Sequence, residues 1–405
     1  MNKAITIAIM SDLHIGRNAR SKDLCPTDDS KAIETGYKEK FLNFLHREKI
    51  HADYLAITGD ISDRAQPDEF QLASEFIKET GERLQLQPDQ ILFVPGNHDV
   101  DWSELSIPDT TGFRRTQRYA PLRNPAWVFD QIMRSGQKHL LDPPHFSSWE
   151  FNDLIAVGYN SAWHDDPAIV VHHGLIADDH LRELAQYLAG LDLLPSRLRI
   201  FLVHHHPIQY SDPIPDEPDF SAMTNADKLL GLLQKYQFDL IVHGHKHTPN
   251  FRTYSTNSAF PLAILGSGSF SALLDTRWSG FVNNQFHLIK VGGRDPNNQS
   301  IFGLLENWTY LCGRGWLPSE LNNGIRHKLP FGTYMQPNEL KKLLRPVLKR
   351  RFKKKDYVKL SDLISAAPHM KYLPPERMTE ILDSLSIEIG FQRHGEPPDE
   401  VVLLR

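Results

Sequence analysis

Histidine, aspartate and asparagine recur together in five short segments of this sequence. The chain has 20 histidines but only two cysteines. The five segments are Asp12–His14, Gly59–Asp63, Gly96–Asp99, His204–His206 and Gly244–His247. Carboxylate, imidazole and amide groups together suit divalent ions such as manganese, iron and zinc, and the lack of nearby cysteine argues against a structural zinc site. The segments are therefore candidate metal ligands.

The number of candidate ligands predicts two metal ions. Four histidines, two or three aspartates and one asparagine are more ligands than one ion can bind. They suit two ions about 3.5–4 Å apart if one carboxylate bridges them. Such a pair activates water at neutral pH and neutralises the charge that develops on phosphoryl oxygens. The chemistry to expect is hydrolysis of a phosphate ester.

The segments stand where predicted strands end. Each follows a short apolar run, as in "AITIAIM" before Asp12 and "RLRIFLV" before His204, and helical patterns such as residues 67–84 separate the runs. Alternating strands and helices indicate an α/β fold, in which ligands bind at the carboxyl ends of the strands. Residues far apart in the sequence are thus expected to meet at one edge of the fold.

The run "HHH" leaves open which of its histidines is a metal ligand. Neighbouring residues on a strand point to opposite faces, so His204 and His206 share one side and His205 takes the other. Alternation alone does not say which side holds the metals.

Length and composition indicate a soluble, globular protein. The chain has 405 residues, 40% of them apolar, and a net charge of −5. Only two cysteines indicate a reducing compartment, and no segment has the pattern of a signal peptide or a membrane helix. We expect a cytoplasmic location and no membrane association, while the oligomeric state stays open.

Three regions are expected along the chain. Residues 1–300 carry the candidate ligands, with an insertion or cap at about 104–147, and residues 301–335 read as a linker. Residues 336–405 read as a small basic α+β domain of short helices and a terminal hairpin, for which a winged helix is one interpretation. Between Asn338 and Leu360 stand ten lysines and arginines, against Glu339 and Asp356. Such a segment is a solvated helix face or a surface for a polyanion such as nucleic acid.

The motifs D-x-H, G-D-x-x-D, G-N-H-D, the histidine run and G-H-x-H, in this order, resemble the calcineurin-like metallophosphoesterase superfamily over residues 5 to 290. The resemblance implies a four-layer α/β/β/α sandwich of two mixed sheets. It also implies two divalent ions, manganese, iron or zinc, with Asp60 as the bridging ligand. The first ion would be held by Asp12, His14, Asp60 and His247. The second would be held by Asn97, His245, Asp60 and His205, the first histidine of a "HHP" pair, with His204 as the competing candidate.

Further roles follow from the same resemblance. His98 would protonate the leaving oxygen, and Asp99 would orient His98. Arg64 and His206 are candidate contacts for phosphate or substrate. Two features depart from the protein-phosphatase pattern: Ala65 follows "GDISDR" where those enzymes have glycine, and Asp99 follows His98 where they have glutamate. Both departures favour the cyclic-nucleotide and glycerophosphodiester branch.

The function we expect is a phosphodiesterase for a nucleotide-like or cyclic-nucleotide substrate, in which a hydroxide bridging the two metals attacks phosphorus. One alternative is a metal-dependent nuclease that recruits DNA or RNA through its C-terminal domain. Another is a non-catalytic interaction scaffold on the same fold, although here every ligand position is filled.

Overall fold

The computed structural model describes most of the chain. The described residues are 4–102, 116–137, 140–165, 173–192, 194, 196–210, 221–255, 260–274, 282–295, 299–320, 324–332, 337–397 and 400–405. The chain divides into two compact units. The first comprises Ile5–Leu288 and Asn307–Arg326, and the second comprises chiefly Ile289–Glu306 and His327–Arg405.

The elements are numbered in chain order. The α-helices are α1 (Tyr37–Arg47), α2 (Pro67–Leu84), α3 (Val128–Ser135), α4 (Asp178–Gly190), α5 (Ala226–Lys235), α6 (Pro337–Phe352), α7 (Leu360–Ala366) and α8 (Pro375–Ile389). The β-strands are β1 (Ile5–Met10), β2 (Tyr54–Thr58), β3 (Ile91–Val94), β4 (Phe146–Glu150), β5 (Leu154–Tyr159), β6 (Leu198–Val203), β7 (Leu240–His243), β8 (Asn250–Tyr254), β9 (Leu262–Gly266), β10 (Gln285–Arg294), β11 (Ile301–Leu311), β12 (Gly315–Pro318), β13 (Lys328–Phe331), β14 (Tyr357–Lys359), β15 (Gln392–His394) and β16 (Val402–Leu404).

The helices that follow the first two strand-forming segments are amphipathic. In α1 the buried residues include Tyr37, Phe41 and Phe44, spaced by one helical turn. Helix α2 begins with Pro67, which suits a first helical position because its missing N–H would have no helical partner there. The Oε2 atom of Glu69 accepts the backbone N–H of Gln66 at 3.2 Å and so caps the same end.

The first unit contains two mixed sheets. In one, the strand order is β12-β11-β10-β1-β2-β3, with β1, β2 and β3 parallel and β11 and β12 antiparallel. In the other, the order is β4-β5-β6-β7-β9-β8, with antiparallel strands only at the two edges. The parallel strands of each sheet therefore bring their carboxyl ends to a common edge.

The sheets pack face to face between two helix layers. Strands β2 and β3 contact β5 and β6, and Gly158 on β5 lies against Val94 on β3. Helix α1 covers the first sheet, where the Phe41 ring lies 5.2 Å from that of Phe286. Leucines of α4 and α5, such as Leu184 and Leu229, share a core with the second sheet. The expected four-layer α/β/β/α sandwich is confirmed.

The described part of the insertion expected at 104–147 covers the first sheet. Residues 103–115 and 138–139 lie outside the described residues. The remainder contains α3 and the first residues of β4. Phe129 of α3 packs 5.4 Å from Phe93 on β3, and Trp127 stacks on Phe70 of α2 at 5.8 Å. This part therefore extends the helix layer.

The linker predicted at 301–335 is wrong, because its described residues form three strands. Thr309 of β11 pairs with Leu317 of β12, and Leu304 pairs with Pro330 of β13. Leu305 and Trp308 on β11 are buried. Glycine, asparagine and proline make this stretch resemble a loop, but its strands pair with one another and with the preceding β10, which composition does not reveal.

The C-terminal part of the second unit is a small α+β domain, as expected. Helices α6, α7 and α8 enclose a core that includes Leu344, Leu363 and Leu382. The antiparallel sheet has the order β14-β16-β15. The chain order, helix, strand, two helices and a hairpin, is that of a winged helix. Among the described residues, none of the helices has the length and hydropathy that a bilayer-spanning segment requires.

Candidate metal centre

The five segments with candidate ligands all follow strands of the two packed sheets. Asp12 and His14 follow β1, Asp60 follows β2, and Asn97 follows β3. The histidine run follows β6, and His245 and His247 follow β7. The structure brings these loops together from both sheets, as the strand-end pattern predicts.

Several of these ligand positions have an unusual backbone conformation. Asp12, His14, Asp60, His245 and His247 all have φ between 48° and 73°. This left-handed region is unfavourable for residues with a side chain. Neighbouring Gly244 has no room for a side chain, since a Cβ atom there would lie 2.5 Å from Asp12 Oδ2. The loops are thus bent tightly so that the side chains converge.

One cluster combines Asp12, His14 and His247, whose potential ligand atoms all lie within 4.8 Å of one another. The two Nε2 atoms of His14 and His247 are 3.1 Å apart, and His247 Nε2 lies 3.4 Å from Asp12 Oδ1. Asp12 also accepts the backbone N–H of His245 at 3.0 Å. These three side chains could hold one divalent ion.

A second cluster combines Asp60, His204 and His245 within the same distance of one another. His204 Nε2 lies 3.2 Å from Asp60 Oδ2 and 3.2 Å from Asn97 Oδ1, and His245 Nδ1 lies 3.1 Å from the same Asn97 oxygen. Carboxylate, amide and two imidazoles thus face one point. They could hold a second divalent ion.

Asp60 connects the two clusters. Its Oδ2 atom is 3.2 Å from His204 Nε2 and 3.7 Å from His14 Nε2. The other oxygen, Oδ1, accepts the backbone N–H of His98 at 2.8 Å. One carboxylate, fixed by a backbone hydrogen bond, therefore faces both groups of imidazoles, which is the place that a bridging ligand needs.

The structure places His204, and not the expected His205, among the converging ligand atoms. The Nδ1 atom of His205, the expected ligand, forms a 2.8 Å hydrogen bond with Ser161 Oγ. Among the described residues, His205 is absent from the groups of converging ligand atoms. His204 takes that place, and its Nδ1 donates to the Thr58 carbonyl at 2.7 Å, which aims Nε2 at Asp60. The first histidine after β6 is closest to the sheet edge where the ligands meet.

The charges in the second cluster support cation binding. Burial raises the pKa of Asp60, but the neighbouring His204 and His98 outweigh it and hold that pKa well below its usual range. Burial lowers the pKa of His204, yet the Asp60 carboxylate outweighs it and raises the pKa to about 9. Burial and the charge of His204 hold the pKa of His245 well below its usual range. A divalent ion at this point would displace the proton of His204 and would bind His245 in its neutral form.

His98 stands beside the clusters with a fixed ring. Its Nδ1 donates to the main-chain carbonyl of Asp63 at 2.8 Å, and its ring meets the His14 ring edge-on at 4.5 Å. Burial lowers the pKa of His98, but the Asp60 charge outweighs it and raises the pKa above its usual value. An imidazole held at one nitrogen and favoured in its protonated form can donate a proton from the other nitrogen.

Asp99 has a different role from the one expected. We expected it to orient His98, but its Oδ1 accepts the backbone N–H of Ser62 at 2.9 Å and its Oδ2 accepts that of Gly96 at 2.9 Å. Burial, together with the charge of Asp60, raises the pKa of Asp99 to about 7. Asp99 therefore joins the loops after β2 and β3, and the Asp63 carbonyl takes the orienting role.

Asn18 is a site residue that the sequence did not reveal. Its Nδ2 donates to both carboxylate oxygens of Asp63, at 3.0 and 3.1 Å. Asp63 itself forms a third group of converging ligand atoms with His14 and His98. The only signal in the sequence is the position of Asn18, four residues after His14, in the loop that leaves the strand end.

The two predicted substrate contacts lie in different surroundings. The Arg64 side chain is 56% exposed, and its Nε lies 3.7 Å from Asp63 Oδ2 at the edge of the site. His206 is buried, with its ring stacked 6.1 Å from that of His245 and edge-on to that of Tyr210 at 5.6 Å. Arg64 is placed to reach a ligand, whereas His206 supports the ring of His245.

The fold and these residue groups define a metallophosphoesterase. The chain belongs to the calcineurin-like phosphoesterase family, whose model matches residues 5–249. No curated protein sequence is significantly similar to this chain.

Several solved structures are similar to this chain at low sequence identity. Purple acid phosphatase PPD1 from yellow lupin (Lupinus luteus) seeds is 12% identical, with a TM-score of 0.45, and the match covers 83% of this chain and 58% of that chain. Phosphopantetheinyl hydrolase (PptH) from Mycobacterium tuberculosis is 14% identical, with a TM-score of 0.37 and coverage of 74% and 96%. GAP50, the anchor in the inner membrane complex of Plasmodium, is 13% identical, with a TM-score of 0.40 and coverage of 77% and 86%.

Proposed function

We propose that this protein is a phosphodiesterase that uses two divalent metal ions, manganese, iron or zinc. The observation that supports this most is the position of Asp60 Oδ2, which faces His14 in one cluster and His204 in the other. Two ions in these clusters would polarise the phosphoryl oxygens and lower the pKa of a water between them. The donors present, carboxylate, amide oxygen and imidazole, suit these ions.

The residues beside the clusters carry the proton transfer. The Asp63 carbonyl holds Nδ1 of His98, and the Asp60 charge favours the protonated ring. His98 would therefore donate a proton to the oxygen that leaves phosphorus. Arg64, exposed at the edge of the site, would contact a free phosphoryl oxygen, since a guanidinium binds phosphate through paired hydrogen bonds.

The substrate class is a nucleotide-like phosphodiester, with cyclic nucleotides as the first candidates. The motif G-N-H-D, which ends in Asp99 where the protein phosphatases have glutamate, supports this choice. A nuclease acting on DNA or RNA is the second candidate, supported by the basic segment of the second unit. Because the two cysteines are free, we place the protein in a reducing compartment, the cytoplasm.

A substrate panel tests the proposed chemistry. Protein supplied with manganese, iron or zinc should hydrolyse bis(4-nitrophenyl) phosphate or cyclic nucleotides faster than 4-nitrophenyl phosphate. With cyclic nucleotides, whose leaving group is an alkoxide, His98→Ala should lower the rate by roughly 10²–10⁴-fold with unchanged metal content, because it removes only the proton donor. His46→Ala, at an exposed histidine of α1, is the matched control and should leave the rate unchanged.

Two results would contradict the proposal. A preference for monoesters would make the protein a phosphomonoesterase. Metal-loaded protein that hydrolyses neither class of ester would be an interaction scaffold.

A further inference from the structure

The outer face of helix α6 in the second unit is a strip of positive charge. Lys342, Lys349, Arg350 and Lys353 are exposed on or directly after this helix. Lys349 and Lys353 lie 7 and 11 residues after Lys342, and these spacings place all three on one side of a helix. We call these four residues the basic strip. At 1.5 Å per residue it is about 16 Å long.

The cations of the basic strip differ in their surroundings from the other cations of α6. In the described part of the chain, no carboxylate lies within salt-bridge distance of these four side chains. Other cations of the same helix are paired, as Arg345 is with Glu388 and Arg351 with Asp362 at 2.8 Å. The helix therefore uses the cations on its inner side to hold α7 and α8 and leaves those on its outer side exposed.

An anionic membrane surface suits this helix less well than a nucleic acid does. A helix that binds a bilayer inserts an apolar face between the lipids. The apolar face of α6, with Leu340, Leu344, Leu348 and Phe352, is buried in the core of its own unit. The basic strip can thus offer only charge, which suits the regularly charged backbone of a polynucleotide.

Helix α8 is poorly suited to the usual way in which a helix-turn-helix binds DNA. In that arrangement the second helix of the pair enters the major groove. Here α8 carries four exposed acidic residues and one arginine, which pairs with Glu380. The acidic residues are Glu376, Glu380, Asp383 and Glu388. Acidic side chains make this helix a poor surface for phosphates, so we do not assign base contacts to α8.

We propose that the basic strip of α6 binds the phosphate backbone of DNA or RNA without reading its sequence. Lys342, Lys349, Arg350 and Lys353 would each neutralise a phosphate, and the strip spans about five phosphates of one strand at about 3.4 Å each. None of these four residues is a candidate metal ligand, and the proposal does not depend on which ester the metal site hydrolyses.

A charge-removal variant tests the proposal in the full-length, metal-loaded protein. Lys349→Ala, Arg350→Ala and Lys353→Ala are combined, and binding to fluorescent DNA duplexes of two unrelated sequences is measured by anisotropy at several salt concentrations. The dependence of log affinity on log salt should become shallower by about 3, roughly one for each cation removed, and affinity should fall equally for both sequences. A gel confirms that the DNA stays intact.

The matched control removes the same charge elsewhere. Lys78→Ala, Arg83→Ala and Arg182→Ala, at exposed positions of α2 and α4, should leave DNA binding unchanged. Thermal unfolding and hydrolysis of bis(4-nitrophenyl) phosphate should be the same in both variants and the parent, which separates a failure of this proposal from a failure of the proposed function.

Three results would overturn the proposal. They are a parent protein that binds no nucleic acid, an equal loss in both triple variants, and a loss for only one DNA sequence. Binding to phosphatidylserine vesicles but not to DNA would identify a membrane surface instead.

Discussion

At the scale of single residues, the histidine run shows how the fold selects among identical side chains. His204, His205 and His206 differ only in what surrounds them. The Thr58 carbonyl holds Nδ1 of His204, and Ser161 holds that of His205. These contacts join segments more than 40 residues apart, so no pattern within the run could have predicted which ring reaches Asp60.

Paired substitutions test this assignment. His204→Ala should lose one of the two ions during dialysis, because it removes a direct ligand of the second cluster. His205→Ala should keep both ions or weaken binding by no more than about 100-fold, the range for residues that only support a ligand. The measurement is metal content by inductively coupled plasma mass spectrometry. Loss of metal from His205→Ala alone would restore the original prediction.

Asn18 acts on His98 through Asp63. Without its two hydrogen bonds to the carboxylate, the Asp63 carbonyl would hold the His98 ring less firmly. We expect Asn18→Ala to slow hydrolysis of diesters with alkyl leaving groups by about tenfold, part of the ~10²–10⁴-fold that acid catalysis contributes. Diesters with a 4-nitrophenolate leaving group should hardly change, because this group leaves without a proton.

The comparison of the two leaving groups gives this test its control. Steady-state rates with both diesters are measured on Asn18→Ala and on His98→Ala, which should show the same preference more strongly. Equal slowing of both diesters by Asn18→Ala would mean that Asn18 only maintains the shape of the loop.

At the scale of elements, the sequence predicted helices better than the strands after residue 300. The pattern of residues 67–84 coincides with α2, because apolar spacing and an initial proline are local signals. Strands β11–β13 were missed, because the glycine, asparagine and proline of this stretch indicate a loop, although its strands pair with one another. The strand-end rule brought Asp12, Asp60 and Asn97 to one edge, since the parallel order of β1, β2 and β3 follows from their alternation with helices.

Glu69 at the start of α2 makes stability depend on pH. Burial raises its pKa to about 7, although backbone N–H groups of Arg64 and Gln66 act in the opposite direction. The folded state therefore binds this proton more tightly than the unfolded state. Its contribution to stability is complete below the ordinary glutamate pKa near 4.5 and is lost as pH rises towards 7.

Glu69→Gln should remove this dependence, because the amide oxygen can still accept both N–H groups. The melting temperature of the variant minus that of the parent should rise between pH 5 and pH 8. Glu82→Gln, at an exposed glutamate of the same helix, is the control and should follow the parent throughout. Parallel curves for Glu69→Gln and the parent would show that Glu69 is already ionised at pH 5.

At the scale of the whole molecule, a separate C-terminal domain was predicted, but its boundary was not. The second unit takes in Ile289–Glu306 as well as His327–Arg405, so β10 and β11 each contribute residues to both units. Because the boundary between the units falls within these strands, no segment with the composition of a loop marks it in the sequence. The second unit nevertheless has a core of its own, since the described residues clustered with Leu344 and Leu382 all belong to that unit.

Leu344→Ala tests whether the units unfold independently. The cavity left in the α6 core should destabilise the second unit by about 2–5 kcal/mol. Calorimetry should then show an early transition for that unit, while metal content and diester hydrolysis at 25 °C stay unchanged. Leu343→Ala, at a neighbouring exposed leucine, should change stability by less than about 0.5 kcal/mol. Loss of activity in Leu344→Ala would show that the first unit needs the second.

The left-handed backbone at five ligand positions implies a trade-off between stability and function. Each such residue costs about 1 kcal/mol or more, and the rest of both sheets must offset this cost. Glycine at Asp12 or His247 would relieve the backbone but remove a ligand. Selection for stability alone would therefore favour replacing these residues, so their aspartate and histidine side chains are explained by the chemistry of the site and not by the stability of the fold.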